Sequence, residues 1–354
     1  MLQRARARRN PFYAAPFDEV APAIEGLASL DRAAWAQAFS TLARPHERRC
    51  AEAEARGDEQ TATEAAFLAY TYYAIARYPL PAGEGQWQAY RRAQAWYLRA
   101  TRTLDPPLER VEIPCDGEPG RGSAIVGYLR RPRGQSRPPL LLMCAGLDVY
   151  KEEHRADAFL AAGLATFAMD MPGTGDAPIV GSETAERLWD AVFAWVASRP
   201  DLDASRVALM GTSTGGYWAA KVAHTHRDHL RAVVSQGGCA HVAFTREWIE
   251  QAEQGEYPFD LALSLARAFG LSSAEAWWET ASRFSLLELG VLDQPCAPLL
   301  LVNGLQDTVF PIADLHLLLQ HGSPKSARIF PVGHMGNTPE TLPMILSWLQ
   351  SRLA

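Results

Sequence analysis

The chain has 354 residues, of which 48% are apolar, and a formal net charge of −6 at pH 7. This length suits one large α/β domain with an addition, or two domains, and the apolar fraction is enough for a buried core. The acidic balance argues against a nucleic-acid partner, which needs a concentrated basic face, and no apolar run is long enough to span a membrane.

The first residues form the one basic cluster, which consists of Arg4, Arg6, Arg8 and Arg9. No apolar stretch of the kind found in signal peptides follows it, so we expect a frayed, solvated terminus. The five cysteines are odd in number and scattered, without C-x-x-C spacing. Reduced thiols in a cytoplasmic protein are the simplest interpretation.

Residues 1–107 repeat their apolar side chains at helical spacing. Asp31 is placed to cap a first helix, Pro45 is expected to interrupt it, and further helices are predicted over 61–78 and 85–104. The aromatic residues of these helices fall in stripes, which usually face a core. A ligand-contacting role for one of them is the less favoured alternative.

From Leu108 the pattern changes to short apolar runs separated by helical segments. Alternating strands and helices predict a mostly parallel, doubly wound sheet, and the short Gly-rich connection between the first two strands predicts an antiparallel hairpin at one edge. The eight strand candidates are 108–114, 123–130, 139–145, 164–170, 206–211, 231–236, 298–303 and 326–331. The helical patterns between them include 152–162, 182–198, 214–226 and 311–321.

Residues 241–295 form a long connection between the sixth and seventh strands, with helical patterns at 244–253, 258–269 and 273–283. A crossover needs far fewer residues, so we interpret the excess as a helical insert over the carboxyl ends of the strands. The predicted division is therefore 1–107 as an amino-terminal helical segment, 108–240 with 296–354 as the core, and 241–295 as the insert.

The motif Gly211-Thr212-Ser213-Thr214-Gly215 joins an apolar strand pattern to an alanine-rich helix pattern. A G-x-S-x-G between a strand and a helix is typical of a nucleophile elbow, in which a sharp turn exposes the serine at the top of the sheet. We therefore take Ser213 as the candidate nucleophile.

A serine nucleophile needs a base, and the base needs an orienting group. Asp307 follows the seventh strand and His334 follows the eighth, so both lie at the carboxyl ends of strands, and the order Ser, Asp, His is the one used by α/β-hydrolases. The other histidines near the elbow lie in or after helices. Asp314 is the alternative acid, but it falls inside a predicted helix.

The oxyanion hole is predicted to use the backbone N–H groups of Thr214 and Leu147, the latter in the loop after the third strand. Gly146 and Asp148 flank Leu147 and are candidate substrate contacts. The alternative for Asp148, and for Lys151 further along, is that they tie this loop down.

No metal-binding or dinucleotide-binding motif accompanies these residues: H-E-x-x-H, paired C-x-x-C and a Gly-rich fingerprint opening a βαβ unit are all missing from the sequence. We expect neither a metal nor a cofactor. The chemistry is expected to come from side chains acting on a small-molecule substrate.

Taken together, several stretches resemble the α/β-hydrolases grouped with the fermentation-respiration switch protein, the dihydroxy-pseudooxynicotine hydrolase and the fungal heptaketide hydrolases. The resemblance rests on the helical amino-terminal segment, the elbow, the loop at Gly146-Leu147-Asp148, the stretch from Gly237 through Arg246-Glu247-Trp248, and the Asp307 and His334 loops. It implies an α/β-hydrolase fold, with a cap built from both the amino-terminal helices and the insert.

The resulting hypothesis is a serine hydrolase acting on an ester, or on a carbon–carbon bond beside a ketone, in an aromatic or polyketide-like compound. His241, Glu247 and Trp248 begin the insert and are candidate substrate contacts, or supports that brace the insert. The alternatives are acyl transfer or lyase-type chemistry on the same triad, and a non-catalytic regulatory binding protein. Whether the chain forms a homodimer is left open.

Overall fold

A computed structural model describes residues 1–257 and 259–354. The chain divides into two compact units, Met1–Leu108 and Glu109–Ala354, which are described separately. The first residue of the helix predicted over 258–269 lies outside the described residues.

The amino-terminal unit is helical. Asp31 caps its longest helix, α3, by accepting a hydrogen bond from the backbone N–H of Ala34 at 2.8 Å, as the sequence predicts. The third predicted helix, 85–104, ends earlier than expected, at Ala100. The five helices are α1 Leu2–Arg6, α2 Phe17–Glu25, α3 Arg32–Ala55, α4 Glu59–Arg77 and α5 Glu84–Ala100.

Two expectations for this unit are wrong. Pro45 does not interrupt α3, because Pro45 faces solvent while Ala43 and His46 on either side are buried, and packing against α4 and α5 compensates for the missing backbone hydrogen bond. The Arg-rich start is ordered instead of frayed. It forms the short helix α1, and Arg4 Nε donates to the carbonyl of Asn10 at 3.1 Å.

Aromatic side chains fill the interior of the helical unit, and several of them form hydrogen bonds that link its helices. The buried Trp35 donates its indole N–H to the carbonyl of Ile75 at 2.7 Å, which ties α3 to α4. Glu47 accepts hydrogen bonds from Tyr73 on α4 and from Trp96 on α5, both at 2.9 Å. Because these polar atoms are hydrogen-bonded, burying the rings adds no desolvation cost from unpaired donors at these contacts.

The second unit contains an eight-stranded, mostly parallel sheet, and the predicted fold class is confirmed. The strand order is β1-β2-β4-β3-β5-β6-β7-β8, with β2 antiparallel to β4 and the pairs from β4 to β8 parallel. The strands are β1 Leu108–Pro114, β2 Ala124–Arg130, β3 Pro139–Cys144, β4 Ala165–Met169, β5 Asp203–Thr212, β6 Ala232–Gln236, β7 Leu299–Gly304 and β8 Lys325–Phe330.

Four strands, β3, β4, β6 and β7, are buried along their whole length. This burial indicates that helices cover both faces of the sheet. The central strand β5 lies between β3 and β6, so its carboxyl end is near the middle of the sheet. The helices of the core are α6 Asp157–Ala161, α7 Leu188–Ser198, α8 Thr214–Thr225, α12 Ile312–Gln320 and α13 Thr341–Leu353, and those of the insert are α9 Arg246–Ala252, α10 Leu261–Ala268 and α11 Ala274–Thr280.

The start of the predicted insert, residues 241–295, lies beside residues 285–286. The N–H of Leu286 donates to the carbonyl of Ala240 at 2.8 Å, and His241 Nδ1 is 2.8 Å from the hydroxyl oxygen of Ser285. Between these residues, Phe244, Phe269 and Trp277 pack in one aromatic cluster. Phe244 and Phe269 also pack on Tyr217 and Trp218 of α8, so this cluster joins the segment to the core.

Asp314 anchors the first turn of the insert. Its fully buried carboxylate, on α12, accepts hydrogen bonds at 2.7 to 3.2 Å from four successive backbone N–H groups, those of residues 240–243. Burial raises the pKa of Asp314, and the four donors oppose that rise because they stabilise the charged form. The sequence places Asp314 inside a helix, correctly, but gives no hint of this contact.

Replacing Asp314 by alanine should lower the free energy of unfolding by about 3 kcal/mol, because buried backbone donors lose their acceptor. Urea denaturation followed by circular dichroism measures the change. Asp293→Ala is the matched control, since Asp293 is an exposed carboxylate of the same unit, and it should change stability by no more than about 0.5 kcal/mol. Equal stability losses in the two variants would contradict the anchoring role.

Candidate active site

The elbow lies between β5 and α8. Ser213 has φ 55° and ψ −127°, a left-handed conformation that is strained for a residue with a side chain. Its N–H donates to the carbonyl of Gln236 on β6 at 2.8 Å, and its carbonyl accepts from the N–H of Gly216 at 2.7 Å. These two hydrogen bonds fix the backbone of the turn. They place Ser213 immediately before the first turn of α8.

The flanking glycines are required by close contacts. A Cβ on Gly211 would lie 2.0 Å from the carbonyl oxygen of Gly215, and one on Gly215 would lie 2.5 Å from that of Ala145. Both distances are shorter than any real contact of a Cβ. The G-x-S-x-G pattern is therefore explained by backbone approach on both sides of Ser213.

The three predicted triad residues lie together. His334 Nε2 is 2.9 Å from Ser213 Oγ, and His334 Nδ1 is 2.7 Å from Asp307 Oδ2. Such an arrangement can pass a proton from the hydroxyl to the imidazole, with the carboxylate holding the ring in place.

Backbone donors hold the acid in position. The second carboxylate oxygen of Asp307 accepts from the N–H groups of Val309 at 2.8 Å and Phe310 at 3.0 Å, and the side chain has no exposed surface. The ring of Phe310 contacts that of His334 edge-on, with centroids 5.6 Å apart. The same loop thus holds the carboxylate of Asp307 and contacts the ring of His334.

Two buried polar side chains at strand ends position the loop that carries His334. Gln236 on β6 donates to the carbonyl of Met335 at 3.0 Å and to Asn337 Oδ1 at 2.9 Å. Asn303 on β7 accepts from the N–H of Met335 at 3.1 Å. Neither residue was predicted from the sequence. A polar side chain at the end of an otherwise apolar strand is nevertheless a pattern that indicates such a role.

The charges around His334 favour its protonated form. Burial alone would lower the pKa of His334, but the charge and hydrogen bond of Asp307, together with the charges of Glu256 and Asp148, outweigh burial and raise it above its ordinary value. An imidazolium formed during a reaction is stabilised by the same groups.

The loop after β3 approaches the serine closely. A Cβ on Gly146 would lie 2.8 Å from Ser213 Cβ and 3.0 Å from its Oγ, and Leu147 is buried beside it. The N–H of Thr214 belongs to the first turn of α8, where backbone donors have no acceptor within the helix. Both predicted oxyanion donors are therefore in segments that adjoin Ser213.

Lys151 holds this loop against the loop that follows β4. Its fully buried ammonium group contacts Asp170 Oδ2 at 2.8 Å and Asp176 Oδ2 at 2.9 Å, and its backbone N–H donates to Asp170 Oδ1 at 2.9 Å. Of the two alternatives for Lys151, these contacts favour the one in which it ties the loop down.

The three candidate residues at the start of the insert have different surroundings. His241 is bonded through Nδ1 to the buried Ser285, whereas Glu247 on α9 is exposed. Trp248 is half-buried and donates its indole N–H to the carbonyl of Val309 at 3.0 Å, in the loop of Asp307. Trp248 thus adjoins the triad, while the contacts of His241 favour a bracing role.

Within the described part of the chain, no group of three or more His, Cys, Asp or Glu side chains is arranged to hold a metal ion. None of the helices described is long and apolar enough to cross a membrane.

The sheet order, the strained elbow and the carboxyl-end loops define the protein as an α/β-hydrolase, an enzyme class. The family profile of the FrsA-like esterases matches residues 28–354, and the chain belongs to this family. One relative is the Esterase FrsA of Escherichia fergusonii, which is 27% identical over 294 residues that cover 80% of this chain and 69% of that protein.

Solved structures share the fold over nearly the full length. The 2,6-dihydroxy-pseudo-oxynicotine hydrolase superposes with a TM-score of 0.77 at 22% identity, covering 96% of this chain and 93% of its own. Wild-type AbyA5 superposes with a TM-score of 0.74 at 23% identity, covering 98% and 91%. The predicted resemblance to this group is confirmed.

Replacing Gly146 by alanine should slow the reaction of Ser213 with a fluorophosphonate by about 100-fold, because the new methyl group would displace the serine side chain from its position beside His334. Labelling rates from mass spectrometry measure the effect. Gly122→Ala is the control, since nothing lies within 4 Å of a Cβ at that position. An unchanged labelling rate in Gly146→Ala would contradict the contact.

Proposed function

We propose that the protein is a cofactor-independent serine esterase that acts on a medium-sized acyl compound of aromatic or polyketide-like character. The proposal is carried by one observation, the continuous hydrogen-bonded chain from Ser213 through His334 to Asp307, with distances of 2.9 and 2.7 Å. A neutral His334 can accept the serine proton, since the proton on the other ring nitrogen is held by the buried carboxylate.

The reaction runs in two halves. Ser213 Oγ attacks the carbonyl carbon and loses its proton to His334 Nε2, while the N–H groups of Leu147 and Thr214 stabilise the negative oxygen. The C–O bond to the leaving alcohol breaks as His334 returns the proton to that alcohol. Water then attacks the acyl-enzyme, gives a proton to His334 and releases the acid, and Ser213 recovers its proton.

The ester is the favoured substrate over a ketone with a carbon–carbon bond to be cleaved. Cleavage of the latter releases a carbanion or enol that needs a proton donor, but His241 Nδ1 is bonded to Ser285 and Glu247 is exposed. The relatives are also named as esterases. Trp248, half-buried beside the acid loop, supports the aromatic character of the substrate.

Ser213→Ala should reduce kcat on an aryl ester by a factor on the order of 10⁶, because the triad acts as a unit. Wild-type protein should react with a fluorophosphonate at Ser213 and should hydrolyse the aryl ester faster than a β-diketone of similar size. Unchanged melting temperature in the variant serves as the folding control. More than a few per cent of residual activity in folded Ser213→Ala would overturn the assignment of the nucleophile.

Turnover should fall on the acid side as His334 becomes protonated, and because the pKa of His334 is raised, kcat/KM should begin to fall at a higher pH than about 6.5. Asp307→Asn should lower kcat by a factor on the order of 10⁴ and move the acid limb to lower pH. Exposed Asp293→Asn is the control. If Asp307→Asn were nearly as active as this control, the assignment of Asp307 as the residue that orients His334 would be wrong.

A further inference from the structure

One short segment of the insert contacts both loops of the triad. The N–H of Glu256 donates to Thr308 Oγ1 at 3.1 Å, one residue beyond Asp307. The carboxylate of the same Glu256 accepts the backbone N–H of His334 at 3.0 Å. The segment thus bridges the acid loop and the base loop, which are 27 positions apart in the chain.

Two glycines make these contacts possible. A Cβ on Gly333 would lie 2.9 Å from Glu256 Oε1, and a Cβ on Gly255 would lie 2.9 Å from the carbonyl oxygen of Thr308. A side chain at position 255 would meet backbone and push the segment away from the Asp307 loop, whereas one at position 333 would displace the carboxylate of Glu256. Both glycines therefore allow the close approach that these contacts need.

We propose that Glu256 is a positioning residue for the proposed esterase reaction, holding the backbone of His334 and placing a negative charge beside its imidazolium. This inference rests on the proposed function. The contact of Glu256 with His334 is to the backbone N–H, so Glu256 acts through the loop and through its negative charge.

Three carboxylates influence the ring of His334, and their roles differ. Asp307 bonds directly to Nδ1, whereas Glu256 bonds to the backbone of His334, and Asp148 acts by its charge. Removing the Glu256 charge should therefore weaken protonation of His334 without removing its orienting acid. The segment after β6 thereby supplies a residue that positions His334.

The experiment compares two substitutions in the full-length protein. Glu256→Gln keeps an oxygen that can accept the His334 N–H but loses the charge, and Glu256→Ala loses both. Glu250→Gln is the matched control, because Glu250 is an exposed carboxylate of the same insert. For each protein, kcat/KM on an aryl ester is measured from pH 5 to 9, with fluorophosphonate labelling of Ser213 and the melting temperature.

We expect Glu256→Gln to shift the acid limb down by about half a pH unit, so that its activity relative to wild type rises about threefold from neutral to low pH. Glu256→Ala should show the same shift and lose about a further tenfold in kcat, because His334 is no longer held. Glu250→Gln should match wild type.

An acid limb identical in wild type and Glu256→Gln would overturn the inference, even if both variants were slower, because a merely structural contact changes rate without changing the pH profile. A failure of the proposed function gives a different result. In that case the wild-type protein itself neither reacts with the fluorophosphonate at Ser213 nor hydrolyses the ester. Loss of labelling with a lowered melting temperature in Glu256→Gln would also count against positioning, since that substitution keeps the acceptor.

Discussion

The site depends on how closely two pieces of backbone approach at the elbow. Only glycine permits Gly211 and Gly215 to pack as they do, and Ser213 between them accepts a strained conformation. That strain persists because bonds to β6 and to α8 over-determine the turn. His334 and Asp307 therefore lie beside a serine whose strained backbone is held in place by the sheet.

His334 is held near this serine in another way, through polar side chains at the ends of neighbouring strands. Gln236 and Asn303 bind the backbone of the loop that carries His334, and neither belongs to the triad. Hydrogen bonds from a rigid sheet restrict a loop far more than contacts among loops do. The position of the His334 loop thus depends on strands that end in a polar residue.

The sequence was sufficient for the eight strands and for the gathering of Ser213, Asp307 and His334, because apolar runs, turn glycines and strand-end loops are local signals. It was insufficient for the contacts of Asp314 and Glu256, since each joins segments more than 50 positions apart and depends on backbone groups that no pattern of side chains records. The prediction that Pro45 interrupts α3 was wrong for a related reason. Packing against neighbouring helices outweighed the low helix propensity of proline.

The segment from Ala240 to Leu286 begins and ends at nearly the same point, because the N–H of Leu286 bonds to the carbonyl of Ala240. A segment with adjoining ends can be lengthened, shortened or exchanged at little entropic cost to the sheet. The segment is not independent of the site, however, because Glu256 lies within it and contacts the loops of Asp307 and His334. A graft of this segment between related hydrolases would therefore have to carry those two contacts with it.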